Sequence, residues 1–228
     1  MIRRALSALF VLLVLAGCGG SPDVNGAGEE GTATLWVTRD RGDEVLLDAE
    51  VEAGQTLMRA LAGAADVDTR YGGRYIQSVN GVEGDLAARR DWFWFVNGYE
   101  GDRSAASYRL HDGDVAWVDF RAWQREGEAR VVVGAFPEPF LHGYAGKRRP
   151  TVVRYEGDQA RRAGDIGKSV GADSVAPLGT PVPKGANVFE LRLGAPRATA
   201  ELLGETAGDP VRFVVSGELD LVRKYEVP

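Results

Sequence analysis

Between Asp91 and Gly98 the chain reads Trp92-Phe93-Trp94-Phe95-Val96, five apolar residues closed by Asn97-Gly98. Aromatic and β-branched residues suit a buried pleated surface, so this run predicts a strand. Asn and Gly tolerate positive φ, so the strand is expected to end in a tight turn. Alternate residues of a strand face opposite ways. Phe93 and Phe95 therefore share one face, and Trp92, Trp94 and Val96 the other. A sheet covered on one side alternates apolar with polar residues. This strand does not, so its second face must also be covered, by a ligand, a second domain or a partner protein.

The flanking pattern is more regular. Residues 32–38 alternate, with Ala33, Leu35 and Val37 on one side and Trp36 on the other. After a turn at 39–43, residues 45–51 read as the second strand of a hairpin. Thr56 is placed to cap a helix from Leu57 to about Ala65, with Leu57, Met58, Leu61 and Ala65 at helical spacing. Residues 75–79 form a strand ended by Asn80-Gly81. A loop at 99–107 and a turn at 111–114 lead to a last strand at 115–120. Hairpin, helix, then three strands predicts a β-grasp-like α+β domain over residues 32–124. Its helix would cover one sheet face. Trp36, Trp117 and one of Trp92 and Trp94 would populate the other.

Beyond Gly127 the composition shifts, and residues 128–228 read as a second small α+β domain. Strands are expected at 151–155, 175–178, 188–193, 211–215 and 219–225. A helix at 158–171 would carry Ala160, Ala163, Ile166 and Val170 on one side. Gly164 and Gly167 each weaken that helix by about 1 kcal/mol relative to Ala.

The N-terminus follows another logic. Arg3 and Arg4 precede an apolar run, residues 5–16, too short to span a bilayer. It ends in Leu15-Ala16-Gly17-Cys18, which resembles the bacterial lipobox. Residues 1–17 are thus expected to be a lipoprotein signal peptide, with Cys18, the sole cysteine, lipidated. Each buried lipid methylene contributes about 0.8 kcal/mol. Residues 18–31 would form a flexible tether to the membrane, placing the protein outside the cytoplasm in the cell envelope. Loss of Arg3 and Arg4 takes the formal charge from −6 to −8. An acidic chain argues against nucleic-acid partners.

Four motifs then carry a resemblance. They are Val51-x-x-Gly54-x-Thr56-Leu57-x-x-Ala60-Leu61, Val79-Asn80-Gly81, Trp92-x-x-Phe95-Val96-Asn97-Gly98 and Asp112-Gly113-Asp114. In this order and spacing, residues 32–124 resemble a DUF4430-like domain family of unknown function. That family is related to the C-terminal domain of transcobalamin and intrinsic factor. The resemblance implies one wall of a cobalamin pocket. The α/α barrel that faces this domain in the vertebrate carriers has no room in this chain.

Other motifs fail on context. Gly26-x-Gly28-x-x-Gly31 has no strand before it. Gly167-x-Ser169-x-Gly171 has a helix-like segment where the nucleophile elbow needs a strand, and both histidines precede the serine. Gly164-x-x-Gly167-Lys168-Ser169 is a P-loop lacking its first glycine, with Arg162 in that place. Two distant histidines and one lipidated cysteine make no zinc set, and Asp112 and Asp114 read as a solvated turn. Glu83, Asp85 and Asp91 are carboxylates near the aromatic strand, explained equally by an acidic surface. Lys147-Arg148-Arg149 reads first as a solvated basic turn, with anion binding as the alternative. No enzyme, cofactor or metal is expected.

The aromatic set remains. All five tryptophans lie in the first domain. Trp36, Tyr75, Trp92, Trp94, Tyr99 and Trp117 are the candidate ligand-binding residues, since rigid rings with a polar tip suit recognition. The expected function is a lipid-anchored binding protein that captures a small ligand such as a corrinoid for uptake, with an envelope or transporter protein as partner. The alternative is a structural or protein-interaction lipoprotein without a ligand.

Overall fold

The computed structural model describes residues 31–123, 130–219 and 221. The expected signal peptide, Cys18 and nearly all of the expected tether lie outside the described residues. The hairpin forms as its alternation requires, β1 (Thr32–Arg39) pairing antiparallel with β2 (Glu44–Glu52). Thr56 caps α1 (Leu57–Ala64), accepting from the Arg59 amide at 3.3 Å, and the helix buries Leu57, Met58, Ala60 and Leu61. Next, β3 (Val67–Arg70), β4 (Tyr75–Val79) and β5 (Val82–Glu83) make a small antiparallel sheet. The chain continues through β6 (Arg90–Val96) and β7 (Tyr99–Glu100), and β8 (Val115–Ala122) returns between β1 and β6. The main sheet runs β2-β1-β8-β6-β7, with β1 and β8 parallel. Both Asn-Gly turns form in the left-handed region, Asn80 and Gly81 at φ 49° and 78°, Asn97 and Gly98 at 51° and 83°.

Strand pairing decides which rings share a face. Trp36 lies level with Trp117 across the parallel pair, and Trp117 lies opposite Phe95 across the antiparallel one. Level residues on adjacent strands point the same way. Trp36, Trp117 and Phe95 therefore line the face away from α1. Trp92 and Val96 join Leu35, Val37, Val118 and the α1 leucines on the helix side, with Trp94 packed against them. This corrects the expectation that Trp92 or Trp94 stands with Trp36 and Trp117.

The far face is closed by the chain itself. Val132 and Ala135 pack onto it, leaving Trp36 at 2% and Trp117 at 0% exposure. Burying a large side chain in this way contributes about 1.5–3 kcal/mol. A chain of hydrogen bonds runs along this face. The Trp117 indole N–H donates to Thr38 Oγ1 at 2.7 Å, Thr38 donates to Asp119, and Asp119 accepts from Arg121 Nε at 2.7 Å.

The second sheet is mixed. β9 (Thr151–Tyr155), α2 (Ala160–Ser169), β10 (Ser174–Pro177), β11 (Asn187–Arg192), β12 (Arg197–Leu202) and β13 (Val211–Ser216) form the order β10-β9-β11-β13-β12, antiparallel only at the β12 edge. Gly167 has a packing reason that its low helix propensity hid. A Cβ there would meet Val175 Cγ2 at 2.6 Å, so the glycine lets α2 approach β10. The strand expected at 219–225 falls mostly outside the described residues.

Residues 130–149 bind to both sheets. Val132 donates to the Gly98 carbonyl at 2.8 Å and the Glu100 amide donates to Arg130 at 3.0 Å, extending the first sheet's edge. Phe140 meanwhile packs on Phe213 and Phe189 at 4.9 and 5.9 Å, inside the second core. Tyr144 meets Tyr99 and Tyr108 at 5.4 and 5.1 Å. One apolar core thus runs through the whole α+β molecule.

Candidate functional site

Tyr75 on β4, Trp94 on β6 and the loop after β7 enclose a cleft of about 300 Å³. Trp92 backs it. Its indole N–H donates to the Val82 carbonyl at 3.0 Å and its ring tilts against Phe120 at 5.2 Å. Trp94 is half-buried, with one side leaning on Tyr108 at 5.5 Å. The Gly101 amide donates to the Trp94 carbonyl at 2.9 Å, which draws the two residues together. A Cβ on Gly101 would fall inside the indole, so the ring can lie over this residue only because it is glycine.

Polar groups converge on these rings. The Tyr75 hydroxyl donates to Asp91 Oδ2, while Asp91 Oδ1 accepts from the Trp92 amide at 2.8 Å. Burial first, then the Asp91 carboxylate, raise the Tyr75 phenol far above its ordinary pKa, so it stays protonated. Arg103 is held by Asp102 through Nε at 2.7 Å and Nη2 at 3.1 Å. Ser104 spends its hydroxyl on the Arg74 carbonyl at 2.6 Å. Arg74, Glu100 and Arg103 complete the lining. The cleft therefore offers an aromatic surface bordered by a phenol–carboxylate pair and two guanidinium groups.

Of the predicted site residues, the structure brings Tyr75, Trp92 and Trp94 together here. Trp36 and Trp117 lie in the buried far face. Tyr99 is 1% exposed, its hydroxyl donating to the Asp209 carbonyl at 3.1 Å. Cys18 lies outside the described residues. Arg74, Glu100, Gly101 and Arg103 were not anticipated, since a single strand's periodicity carries no trace of which loop folds over it.

The other candidates have local partners. Asp85 Oδ1 closes its own turn by accepting from the Ala87 and Ala88 amides at 2.8 and 3.0 Å. Glu83 accepts from Gln77 at 2.7 Å. Ser169 ends α2 and donates to the Ile166 carbonyl at 2.8 Å. Asp114 corrects its expected place in a solvated turn, because it is 0% exposed. It accepts from the His111 amide at 2.9 Å and from Asn97 Nδ2 at 2.7 Å. Burial raises its pKa, and those bonds only partly oppose the rise.

Residues 54–122 match the family model described as a domain of unknown function, DUF4430. The match runs from before α1 through β8 and leaves the β1–β2 hairpin outside. Solved structures similar to part of the chain include the following two. One is a Ruminococcus gnavus protein provisionally described as metal-binding, at 20% identity and TM-score 0.36, covering 42% of this chain and 100% of that one. The other is haptocorrin in complex with Cbi, at 17% identity and TM-score 0.36, covering 42% of this chain and 26% of that one. No curated protein matches.

Proposed function

We propose that this chain, with its DUF4430 domain at residues 54–122, is an extracytoplasmic binding protein anchored through a lipidated Cys18. It holds a small ligand in the cleft of Tyr75, Trp92 and Trp94 and acts by binding rather than turnover. One observation carries this reading: Trp94 lies half-buried over Gly101 in a concave site with convergent polar groups. The cleft's volume, about 300 Å³, stands at the lower end for small-ligand sites, roughly 300–1,000 Å³.

A corrinoid is the ligand class suggested by the motif resemblance to the transcobalamin-type domains. It is larger than the cleft, so only one edge would enter, which suits a domain that forms one wall of a pocket. Titrating cobalamin and cobinamide against tryptophan fluorescence tests this. A saturable change that disappears in Trp94→Ala is expected. A flat response through high micromolar ligand would remove the corrinoid version.

The alternative, an envelope interaction protein without a small ligand, has its own support. Trp36, Phe95 and Trp117 act as core, and Tyr71, 78% exposed, stands at 6.1 Å from Tyr75 as a contact point for another protein. Ligand-saturable quenching at Trp94 decides against it.

A further inference from the structure

A second concave site lies where the two domains meet, and its chemistry differs from that of the aromatic cleft. It has a volume of about 420 Å³. Three separate stretches build it: Arg103 from the first domain, residues 144–149 from the connecting segment, and residues 206–209 from the turn between β12 and β13. In a chain of net charge −6 it gathers four cations, Arg103, Lys147, Arg148 and Arg149.

The carboxylates nearby are already engaged. Asp102 takes Arg103 and also accepts from the Tyr144 hydroxyl at 2.7 Å. Asp209 meets Arg149 Nη2 at 3.3 Å through Oδ1. Its Oδ2 closes its own turn, accepting from the Glu205 and Thr206 amides and from Thr206 Oγ1, each at 3.0 Å. Both acids are thus held ionised, below the ordinary carboxylate range. Lys147 and Arg148 have no carboxylate partner among the described residues. Arg148 is instead aimed by carbonyls, donating from Nε to Phe140 at 3.0 Å and from Nη2 to Gly171. A carbonyl fixes a guanidinium's direction without cancelling its charge. Two cations without a carboxylate partner among the described residues therefore line a polar hollow beside two completed ion pairs.

We propose that this pocket binds a phosphate group, with Lys147 and Arg148 as its principal charge partners. Phosphate carries more acceptor oxygens than a carboxylate, and Arg with Lys is the usual pair that recognises it. The group could come from an anionic phospholipid headgroup, close at hand for a membrane-tethered protein, or from a soluble phosphate or phosphomonoester.

Amide chemical shifts of the isotopically labelled protein, followed on addition of inorganic phosphate and separately of glycerophosphoglycerol, test the assignment. Saturable shifts at Thr206, Gly208 and Arg148 below about 10 mM are expected, weakening as salt rises. Phosphate binding at least tenfold tighter identifies a soluble source, and the reverse order identifies a headgroup; either supports the pocket. Lys147→Ala, at an exposed position, should weaken binding at least threefold. Arg148→Ala should weaken it further. No saturation by either probe, or binding unchanged in Lys147→Ala, overturns the proposal. Titration of the Trp94 fluorescence is read separately, so failure here leaves the aromatic cleft untouched.

Discussion

Asn97 donates from Nδ2 to the Gly143 carbonyl at 2.9 Å, across the seam between the two domains. The same nitrogen donates to Asp114 at 2.7 Å, and Asn97 Oδ1 accepts from the Val115 amide at 2.8 Å. A residue chosen for its turn geometry is thus also a buried hub. Asn97→Ala should destabilise the protein by roughly 3–5 kcal/mol, since it leaves several buried groups unpaired at a positive φ. Asn97→Gly keeps the turn but loses the bonds, so it should recover only about 1 kcal/mol of that loss. Urea unfolding of the two variants separates the contributions.

Asp114 and Glu190 should respond to pH in opposite directions. Burial raises Asp114 above its unfolded value. Between the two values the native state holds a proton that the unfolded chain does not. Its contribution to stability therefore grows as pH falls through that window and is lost as pH rises. Burial also pushes Glu190 up, but Arg212 and Arg192 outweigh it and hold the carboxyl below its ordinary value. Its contribution is present above the unfolded pKa and lost as pH falls through the folded one. Denaturant midpoints from pH 3 to 7 should show a smaller acid-side loss in Glu190→Gln than in wild type. Asp114→Asn should lack the acid-side gain.

Gly101→Ala should disturb the cleft more than the fold. The added methyl collides with the Trp94 ring, a side chain rather than backbone, so the indole must swing away. A cost of about 1–3 kcal/mol is expected. The near-ultraviolet circular dichroism should change, and any ligand response at Trp94 should fall with it.

Residues 32–124 expressed alone should not behave as a clean monomer. Removing Val132 and Ala135 uncovers Trp36, Phe95 and Trp117 together on one sheet face. Such a contiguous apolar patch drives association. Sedimentation velocity should show concentration-dependent self-association, reduced by extending the fragment through residue 149. A fully monomeric short fragment would contradict this account of the cover.

Much of this was legible in the chain. The Thr56 cap, both Asn-Gly turns, the first hairpin and the α+β class follow from local rules acting over a few residues. The partition of the tryptophans did not, because it depends on Trp36 standing level with Trp117 in a pairing that one strand's periodicity does not encode. β3 was missed because Val67 is its one apolar residue; it is held by its ladder with β4 rather than by burial. β12 was missed because its inward positions include the small residues Ala198 and Ala200. The cleft was half visible, as rings without the loop that closes over them. The basic turn at 147–149 was visible as charge, but its concavity comes from residues some sixty positions away in the chain.

Lifting the first sheet out of this chain as a free-standing cassette would uncover its far face. Val132 and Ala135 stopper that face, and a few residues later Phe140 belongs to the neighbouring fold. A gene fusion that kept the first sheet and exchanged everything downstream would have to supply a substitute stopper. Chains that share this sheet with unrelated successors should therefore carry a short apolar plug soon after its final strand, whatever follows.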